Sequence, residues 1–559
     1  MKPPKIDLTT LTPDTVRAMD LASLTNLAAE IRAFLIESVT KTGGHLASNL
    51  GSVELTIALT HVFNLNMDTV IYDVGHQVYP HKIMTRRAGM FDRLRQFKGL
   101  SGFPRYTESI YDHFETGHSS TSLSAAAGVA YHKYLHQDTG RVIAVIGDGA
   151  FTGGLALEGL NNLVQIPYPV MIVLNDNDMS ISENVGALAQ VFKDNDRSKS
   201  FFESLGYDYV AAYEGHNLSE LVSVFSSLTT ITKPTVVHVR TVKGYGYQPA
   251  EDDKVKYHGV GYYTIDPKPK GPSWSNYIAK LVEAHSTVQI ITPAMIEGSG
   301  LRGIDSSRVI DVGIAEAHAV TMAAAMVRQG SNVFLPIYST FIQRAYDSLI
   351  HDVCRPNIPV VFGIDRAGTI PQDGSTHQGI FDVAALGALP NIQVLMPKDG
   401  PEAKALVRYA FQQTTPVAIR YPKGNSIGDG PEVSITAPSW EFIIEEPGVI
   451  IVTYGPDVYS IQQALKTNQL SATLINARFI KPMDEKMISW IANSNRPVIV
   501  YEQVMYQGSL GQQLQAKLPN VVHPMSYHHI PEHGEIEQLL AQAGLSMHDV
   551  ITAVKRYAN

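Results

Sequence analysis

The sequence lacks several features that would place it in a specialised class of protein. It has one cysteine, Cys354, among 559 residues, so neither an intrachain disulfide nor a cysteine-based zinc site can form. No uninterrupted apolar run approaches the length of a membrane span. The N-terminus has no apolar core for a signal peptide and is too acidic for a transit peptide. We therefore expect a cytoplasmic protein in which Cys354 is a small buried side chain.

Positive charge is also scarce and scattered. The chain has 44 Lys and Arg against 53 Asp and Glu, for a formal net charge of -9, and no basic cluster stands out. Nucleic-acid binding depends on neutralising phosphates with basic side chains. We expect neither a nucleic-acid nor a membrane partner. Any phosphorylated ligand must be bound by individual groups at its own site, because the sequence has no basic cluster.

What the sequence does contain is a regular alternation of apolar runs and amphipathic stretches. At roughly 150 residues per domain, the length suggests three or four domains. Apolar runs bounded by Gly, Pro or Asp are typical of strands buried on both faces, and helices between them imply right-handed crossovers. The pattern predicts α/β domains with mainly parallel sheets. The predicted strands are "RVIAVIG", "PVMIVLND", "TVVHVRT", "SNVFLPIYS", "IPVVFGID", "IQVLMP", "GVIIVTYG", "ATLINARF" and "PVIVYEQ".

Two stretches without periodicity divide the chain. Residues 250–276 and 422–441 are rich in Pro and Gly, the residues that punctuate regular structure. We place the domain boundaries within them. The predicted domains are residues 1–262, 263–430 and 431–559.

The stretch "RVIAVIGDGAFTGG" has the geometry of a phosphate loop but an unusual charge. A strand ends in glycines just before a helix, where N–H groups point at a ligand. Gly153 comes one residue too late for the dinucleotide fingerprint, and no Lys-Ser/Thr pair follows for a Walker A loop. Asp148 stands among the glycines and should repel a phosphate.

A divalent cation between the carboxylate and a diphosphate would remove this repulsion. Mg²⁺ prefers oxygen ligands and shares them with substrate phosphates. One strand–helix–strand unit later, "NDNDMSIS" offers the Asn177 amide oxygen and the Met179 carbonyl. The alternative is that Asp148 and Asn177 are ordinary turn residues, which favour Asx-turns. We favour a metal site formed by Asp148, Asn177 and Met179.

"GDG" followed by "NDN" is similar to the motif by which thiamine diphosphate enzymes hold Mg²⁺ and the cofactor's diphosphate. Further strings resemble the 1-deoxy-D-xylulose-5-phosphate synthase family, in the same order from about residue 17 onwards. They are "GGHLASNLGSVELTIALTHVF", "DVGHQVYPHKI", "FETGHSSTSLSAAAG", "NDNDMSISENVGAL", "KGYGYQPAE", "ITPAMIEGSG", "IYSTFIQRAYDSLIHDV", "DGSTHQGIFD" and "RYPKGN". The resemblance implies a transketolase-like fold with diphosphate-binding, pyrimidine-binding and C-terminal domains in that order.

The resemblance also implies a transferase activity. Pyruvate would be decarboxylated and its two-carbon unit joined to D-glyceraldehyde 3-phosphate, giving 1-deoxy-D-xylulose 5-phosphate and CO₂. This is the first step of non-mevalonate isoprenoid biosynthesis and also serves thiamine and pyridoxal biosynthesis. The implied cofactors are thiamine diphosphate and Mg²⁺, and the implied assembly is a homodimer.

Site residues follow by carry-over onto matching positions. The implied catalytic residues are Glu316, His45, His76 and His377, with Glu316 hydrogen-bonded to the pyrimidine of the cofactor. The implied cofactor contacts are His76, Gly117, His118, Ser119, Gly149, Ala150, Asn177, Lys243, Tyr247, Glu316 and Phe341. The implied substrate contacts are His45, Tyr338, Arg344, Arg366, Asp373, His377 and Lys423, with Arg420 a weaker candidate.

The sequence departs from the family pattern in two places. The segment near residues 187–200 is much shorter than the family usually has, and Lys423 stands where arginine is more common. Lysine attracts phosphate but cannot make the two-pronged contact of arginine. Three alternatives stay open: a transketolase-type two-carbon transferase, a catalytically impaired truncated form, and a non-catalytic diphosphate-binding protein.

Overall fold

A computed structural model describes residues 6–180, 183–260 and 272–558. The chain divides into two compact units, Met1–Ile265 with Gly313–Ala315, and Asp266–Val312 with Glu316–Asn559. The division into residues 1–262, 263–430 and 431–559 stays a prediction, and its first boundary lies outside the described residues.

The first unit is built on a five-stranded sheet in the order β1-β2-β3-β5-β4, with every neighbouring pair parallel. Its strands are β1 (Thr69–Tyr72), β2 (Val142–Gly147), β3 (Val170–Asp176), β4 (Asp208–Ala212) and β5 (Thr235–Arg240). Its α-helices are α1 (Pro13–Arg17), α2 (Leu21–Thr42), α3 (Leu46–Leu50), α4 (Val53–Val62), α5 (Tyr79–Lys82), α6 (Ser122–His136), α7 (Asp148–Phe151), α8 (Gly154–Leu163), α9 (Ala187–Phe192), α10 (Asn195–Ser204), α11 (Leu218–Ser227) and α12 (Gln248–Asp252).

The central strands of this sheet are buried on both faces, as their apolar sequences predict. All seven residues of β3 are buried. Helix α8 presents Leu160 and Leu163 to the core beneath the sheet. Because the sheet is parallel, the strands' carboxyl ends share one edge, where a ligand site forms.

The second unit contains two sheets. A seven-stranded sheet has the order β15-β10-β11-β9-β8-β6-β7, and a five-stranded sheet has the order β12-β14-β13-β16-β17. β15 and β12 pair antiparallel with their neighbours, and the other pairs are parallel. The strands are β6 (Val288–Thr292), β7 (Val309–Asp311), β8 (Asn332–Tyr338), β9 (Val361–Asp365), β10 (Gln393–Leu395), β11 (Val417–Arg420), β12 (Glu441–Ile444), β13 (Val449–Thr453), β14 (Ala472–Asn476), β15 (Phe479–Lys481), β16 (Val498–Met505) and β17 (Val522–Tyr527).

Helices cover these sheets and bury their apolar stripes against them. The α-helices are α13 (Trp274–Glu283), α14 (Glu316–Arg328), α15 (Tyr346–Ser348), α16 (Asp382–Gly387), α17 (Gly400–Phe411), α18 (Asp457–Thr467), α19 (Glu485–Ser494), α20 (Leu510–Lys517), α21 (Ile536–Gln542) and α22 (Met547–Ala558).

The predicted fold class is confirmed, and each of the nine predicted strand sequences contains a strand. Cys354 is buried and not in a disulfide, also as predicted. Within the described ranges, no helix is both long enough and apolar enough to cross a membrane.

Candidate active site

The GDG loop lies at the carboxyl edge of the first sheet. β2 ends at Gly147, and Asp148 opens the short helix α7. β3 pairs in parallel with β2 and ends at Asp176, so Asn177 follows at the same edge. The topology therefore brings together the two segments that carry the predicted metal ligands.

The Asp148 carboxyl group is buried and only partly satisfied. The residue is 2% exposed, and its Oδ2 accepts a hydrogen bond of 2.7 Å from Asn184 Nδ2. Its Oδ1 has no hydrogen-bond partner among the described residues. Burial and the nearby carboxylates of Asp176 and Asp178 raise the pKa of Asp148 well above its usual value. A divalent cation bound at Oδ1 would supply the missing partner and would favour the ionised carboxylate despite burial and the nearby negative charges. Asp148 is therefore suited to be a metal ligand.

Asn177 forms the Asx-turn that the alternative interpretation predicts. Its Oδ1 accepts a hydrogen bond of 3.2 Å from the Met179 N–H, and Asp178 adopts a positive φ of 60°. An amide oxygen has two lone pairs, so this bond leaves one for a cation. No group of three or more His, Cys, Asp and Glu suited to a metal occurs in the described part of the chain. The predicted set has one carboxylate, and it stays a prediction.

Gly149 is a position where only glycine fits. A Cβ there would lie 2.7 Å from Ser180 Cβ and 2.8 Å from Asn184 Oδ1. The loop therefore presents bare backbone at Gly149, as close approach to a ligand requires.

Ser120, which is not among the predicted site residues, holds Ala150, the residue after Gly149 in the GDG loop. Ser120 Oγ donates a hydrogen bond of 2.7 Å to the Ala150 carbonyl, and the Ser120 N–H donates one of 2.6 Å to Asp73 Oδ1. Ser120 is fully buried and has a positive φ of 70°. The predicted Gly117, His118 and Ser119 precede it in the same loop, which thus contacts the GDG loop through Ser120.

Three histidines face one another in the first unit. The ring centroids of His45, His76 and His258 lie 5.6 Å apart in each pair. Asn49 Nδ2 donates to the carbonyls of both His45 and His76, at 2.6 and 2.7 Å, and so holds their loops together. His45 and His76 are predicted site residues. His258 is not, because it lies in a charged stretch with no periodic signal.

Burial keeps the imidazoles of His76 and His258 neutral. It lowers the pKa of His76 to about 3, with a smaller contribution from the Lys243 charge. The same two causes hold the pKa of His258 well below its usual value. Burial also lowers the pKa of Lys243 to about 8, and its Nζ donates a hydrogen bond of 2.5 Å to the Ser180 carbonyl. The predicted Tyr247 precedes α12 and packs edge-on against Tyr257 at 5.9 Å.

In the second unit, Glu316 opens helix α14 and is 7% exposed. Burial raises the pKa of its carboxyl group, although the Arg344 charge opposes this. A carboxyl group with a raised pKa can hold a proton nearer neutral pH than an exposed one.

Four predicted residues of the second unit come together. The Tyr338 and Phe341 rings stack at 5.5 Å, and His377 meets Phe341 edge-on at 5.7 Å. Arg366 Cζ lies 3.8 Å from the centre of the Tyr338 ring. Arg366 Nη1 also donates a hydrogen bond of 2.7 Å to the buried Asp365 carboxylate.

The loop that carries Asp373 and His377 is held by Gln378, which the sequence analysis did not single out. Its Oε1 accepts from the Ile370 N–H and its Nε2 donates to the Ile370 carbonyl, both at 2.8 Å. Lys423 is exposed, and its Nζ donates a hydrogen bond of 3.2 Å to Gln372 Oε1 on the same loop.

Arg420, the weaker candidate for a substrate contact, forms a buried ion pair. It is 1% exposed and donates to both oxygens of Asp382, at 2.7 and 3.0 Å. Its charge is therefore matched by a buried partner.

Comparison with known proteins gives matches along most of the chain. A family model described as 1-deoxy-D-xylulose-5-phosphate synthase matches residues 8–201 and 189–241. The transketolase pyrimidine-binding and C-terminal domain models match residues 274–427 and 439–550. A 1-deoxy-D-xylulose-5-phosphate synthase from Geobacillus sp. (strain WCH70) is 42% identical over 616 residues, covering 97% of each chain. One from Listeria monocytogenes serotype 4b (strain CLIP80459) is 42% identical, covering 97% of this chain and 96% of the relative.

The alignment with the Geobacillus protein is longer than this 559-residue chain, so the relative has insertions that the chain lacks. The two pieces of the first family match overlap at residues 189–201, in the segment predicted to be short. A solved structure of a transketolase from Leishmania mexicana is 15% identical with a TM-score of 0.46, covering 99% of this chain and 98% of that one.

The α/β sheets and the matched domain models define an enzyme of the transketolase type, a thiamine diphosphate-dependent transferase. Within that class, the chain belongs to the 1-deoxy-D-xylulose-5-phosphate synthase family.

Proposed function

We propose that this chain decarboxylates pyruvate and joins the two-carbon unit to D-glyceraldehyde 3-phosphate, giving 1-deoxy-D-xylulose 5-phosphate and CO₂. Family membership over 97% of the chain supports the reaction. The structural observation that carries it is the buried Asp148 carboxyl group, whose Oδ1 has no partner among the described residues, at the sheet edge shared with Asn177. A bound cation explains why a buried carboxylate stands in a phosphate loop.

Mg²⁺ would be held by Asp148, Asn177 and the Met179 carbonyl, and the backbone at Gly149 and Ala150 would face the diphosphate. Thiamine diphosphate supplies the electron sink that makes loss of CO₂ from pyruvate feasible. The chain's own contribution here is to fix the metal ligands. Asn184 orients the Asp148 carboxylate, and Ser120 holds the Ala150 carbonyl.

Glu316 and Phe341 would meet the pyrimidine end of the cofactor, as the resemblance implies. The buried Glu316 carboxyl group, with its raised pKa, is suited to share a proton with a ring nitrogen. The neutral imidazoles of His76 and His258 can each accept or donate a hydrogen bond at a substrate carboxylate or carbonyl, and His45 lies beside both rings.

Arg366 and Lys423 would bind the phosphate group of D-glyceraldehyde 3-phosphate, the acceptor substrate. Arg366 is already paired with Asp365, which fixes its guanidinium plane over Tyr338. Lys423 is exposed on the adjoining segment and brings a mobile point charge. Tyr338, Arg344, Asp373 and His377 would contact the rest of the acceptor.

The test is a coupled assay of purified full-length chain with pyruvate and D-glyceraldehyde 3-phosphate, with and without thiamine diphosphate and Mg²⁺. We expect deoxyxylulose phosphate and CO₂ in equal amounts, only when both cofactors are present. Two-carbon transfer from a ketose phosphate without CO₂ would instead identify a transketolase. Cofactor binding without either product would identify an impaired form.

We also propose a homodimer, as the resemblance implies. Light scattering coupled to size-exclusion chromatography should give twice the 61.2 kDa of one chain. A mass of one chain at micromolar concentration would contradict this.

A further inference from the structure

The segment that is short in this chain forms two helices packed on the helix that carries Asp148. The helix pair α9–α10 comprises Ala187–Phe192 and Asn195–Ser204. Phe192 and Phe202 meet the Phe151 ring edge-on at 5.4 and 5.6 Å. Phe151 is the last residue of α7, whose first residue is Asp148.

One side chain joins this helix pair to the strand that leads into Asn177. Arg240, the last residue of β5, lies 3.2 Å from Asp176 Oδ2 through Nη1. Its Nη2 donates a hydrogen bond to the Phe192 carbonyl at the end of α9 and another of 3.4 Å to Asn195 Oδ1 at the start of α10. The guanidinium group can do this because it offers several donors in one plane.

Asp176 shapes the turn in which Asn177 lies. Its Oδ1 accepts a hydrogen bond of 3.2 Å from the Asp178 N–H, and its Oδ2 accepts one of 2.7 Å from His238 Nε2. Asp176 is 2% exposed, so its charge depends on these partners and on Arg240. A change at Arg240 therefore acts on the turn through Asp176.

We propose that Arg240 is a positioning residue that fastens the helix pair α9–α10 to Asp176 and so fixes the Asn177 turn for Mg²⁺. The inference rests on the proposed Mg²⁺–diphosphate site. Partners behind a metal ligand orient it, and their loss typically weakens metal affinity by roughly 10- to 100-fold. Arg240 lies behind Asn177 in this sense, without touching the metal.

The test compares Arg240→Met and Arg240→Lys with the wild type in the full-length chain. Equilibrium dialysis would measure thiamine diphosphate binding across a series of Mg²⁺ concentrations, after removal of metal with EDTA. Arg197→Met is the matched control, because Arg197 is an exposed arginine on the same helix pair. Trypsin cleavage after Lys193 and Lys199, which all variants retain, would report on attachment of the pair.

We expect Arg240→Met to raise the Mg²⁺ concentration for half-maximal cofactor binding by roughly tenfold or more. Trypsin should cleave the pair faster in this variant. Arg240→Lys should fall between it and the wild type, because an ammonium can keep the contact with Asp176 but not all three contacts. Arg197→Met should match the wild type.

An unchanged Mg²⁺ requirement in Arg240→Met overturns the inference, even if its thermal stability falls, because a purely structural clamp would affect stability alone. If Arg240→Met does not fold, Arg240→Lys decides, and wild-type Mg²⁺ dependence in that variant overturns the inference. A wild-type chain that binds no thiamine diphosphate at any Mg²⁺ concentration contradicts the proposed function itself.

Discussion

Asn184 Nδ2 donates to Asp148 Oδ2 over 2.7 Å, which fixes one oxygen of a buried carboxylate and leaves the other without a partner among the described residues. The amide orients the group without neutralising it. Nearby Asp176 and Asp178 add negative charge. The arrangement opposes an ionised Asp148 in the metal-free protein and favours it once a cation binds.

Asp148→Asn should therefore separate stability from binding. Burial and the Asp176 carboxylate oppose ionisation of Asp148, so replacing it with a neutral amide should raise the unfolding free energy of the metal-free chain at neutral pH. The same change should abolish Mg²⁺-dependent binding of thiamine diphosphate. Thermal unfolding without metal and equilibrium dialysis with it would measure the two effects.

Asp178→Asn is the control for this change. Asp178 is exposed and lies in the same turn, and asparagine tolerates its positive φ of 60° equally well. Its Mg²⁺ requirement should change much less than that of Asp148→Asn, because Asp178 makes only a small electrostatic contribution at Asp148 and is not one of the predicted ligands. A wild-type Mg²⁺ requirement in Asp148→Asn would exclude Asp148 as a ligand.

Glu316→Gln should leave the fold and Mg²⁺-dependent cofactor binding intact while lowering kcat by roughly 10²- to 10⁴-fold, the usual contribution of a general acid or base. Glutamine has nearly the same shape, but it cannot exchange a proton with a ring nitrogen. Steady-state kinetics at saturating cofactor would measure this. Turnover at the wild-type rate would remove Glu316 from the catalytic role.

Lys423→Gln should raise the KM for D-glyceraldehyde 3-phosphate by roughly tenfold, because a charge-assisted hydrogen bond to phosphate contributes about 1.5 kcal/mol or more. The KM for pyruvate should change little. Lys423→Arg should bind the aldehyde phosphate at least as tightly, since guanidinium can contact two phosphate oxygens.

The control for this series is Lys466→Gln, an exposed lysine on α18. Equal changes in the KM values for pyruvate and D-glyceraldehyde 3-phosphate in Lys423→Gln would show that Lys423 does not bind the phosphate group.

Asp457, which is not one of the candidate site residues, should make the unfolding free energy depend on pH. Burial raises the pKa of its carboxyl group from 3.8 to about 6, although Gln503 Nε2 donates to both oxygens. Between these two values the folded state holds a proton that the unfolded state has released. This group therefore lowers stability as the pH rises from about 4 to about 6, and the loss persists above.

Asp457→Asn should accordingly raise the unfolding free energy near pH 7.5 by about 3 kcal/mol and have little effect near pH 4. Thermal unfolding at several pH values would measure the difference. Asp92→Asn, at an exposed position, is the control for the substitution itself. A gain of equal size at both pH values would show that ionisation of Asp457 is not the cause.

The inner strands β6 and β11 are not among the predicted strands, but all nine predicted strands are inner ones, because burial on both faces requires a continuous apolar run. β3, with every residue buried, is an example. The edge strand β4 has exposed and half-buried residues and carries no such signal. The strands β7 and β15 lie at the two edges of the seven-stranded sheet, and neither is buried along its whole length. Their pairing depends on neighbours that are far away in sequence.

The same contrast holds at the site. Asp148 and Asn177 could be paired because each follows a strand and the strands are one crossover apart. The contact of His258 with His45 could not be predicted from the sequence. It depends on backbone pairing of Gly44 with Val260, which exchange two hydrogen bonds of 2.8 Å. Ser120 was likewise hidden, because its role depends on its positive φ and on contact with Ala150.

The most direct test of the central claim is a crystal structure of the full-length chain with thiamine diphosphate and Mn²⁺ in place of Mg²⁺, with the metal located by its anomalous scattering. We predict one metal peak within bonding distance of Asp148 Oδ1, the Asn177 side-chain oxygen and the Met179 carbonyl, bridged to the cofactor's diphosphate. A metal peak that does not contact Asp148 would contradict the account.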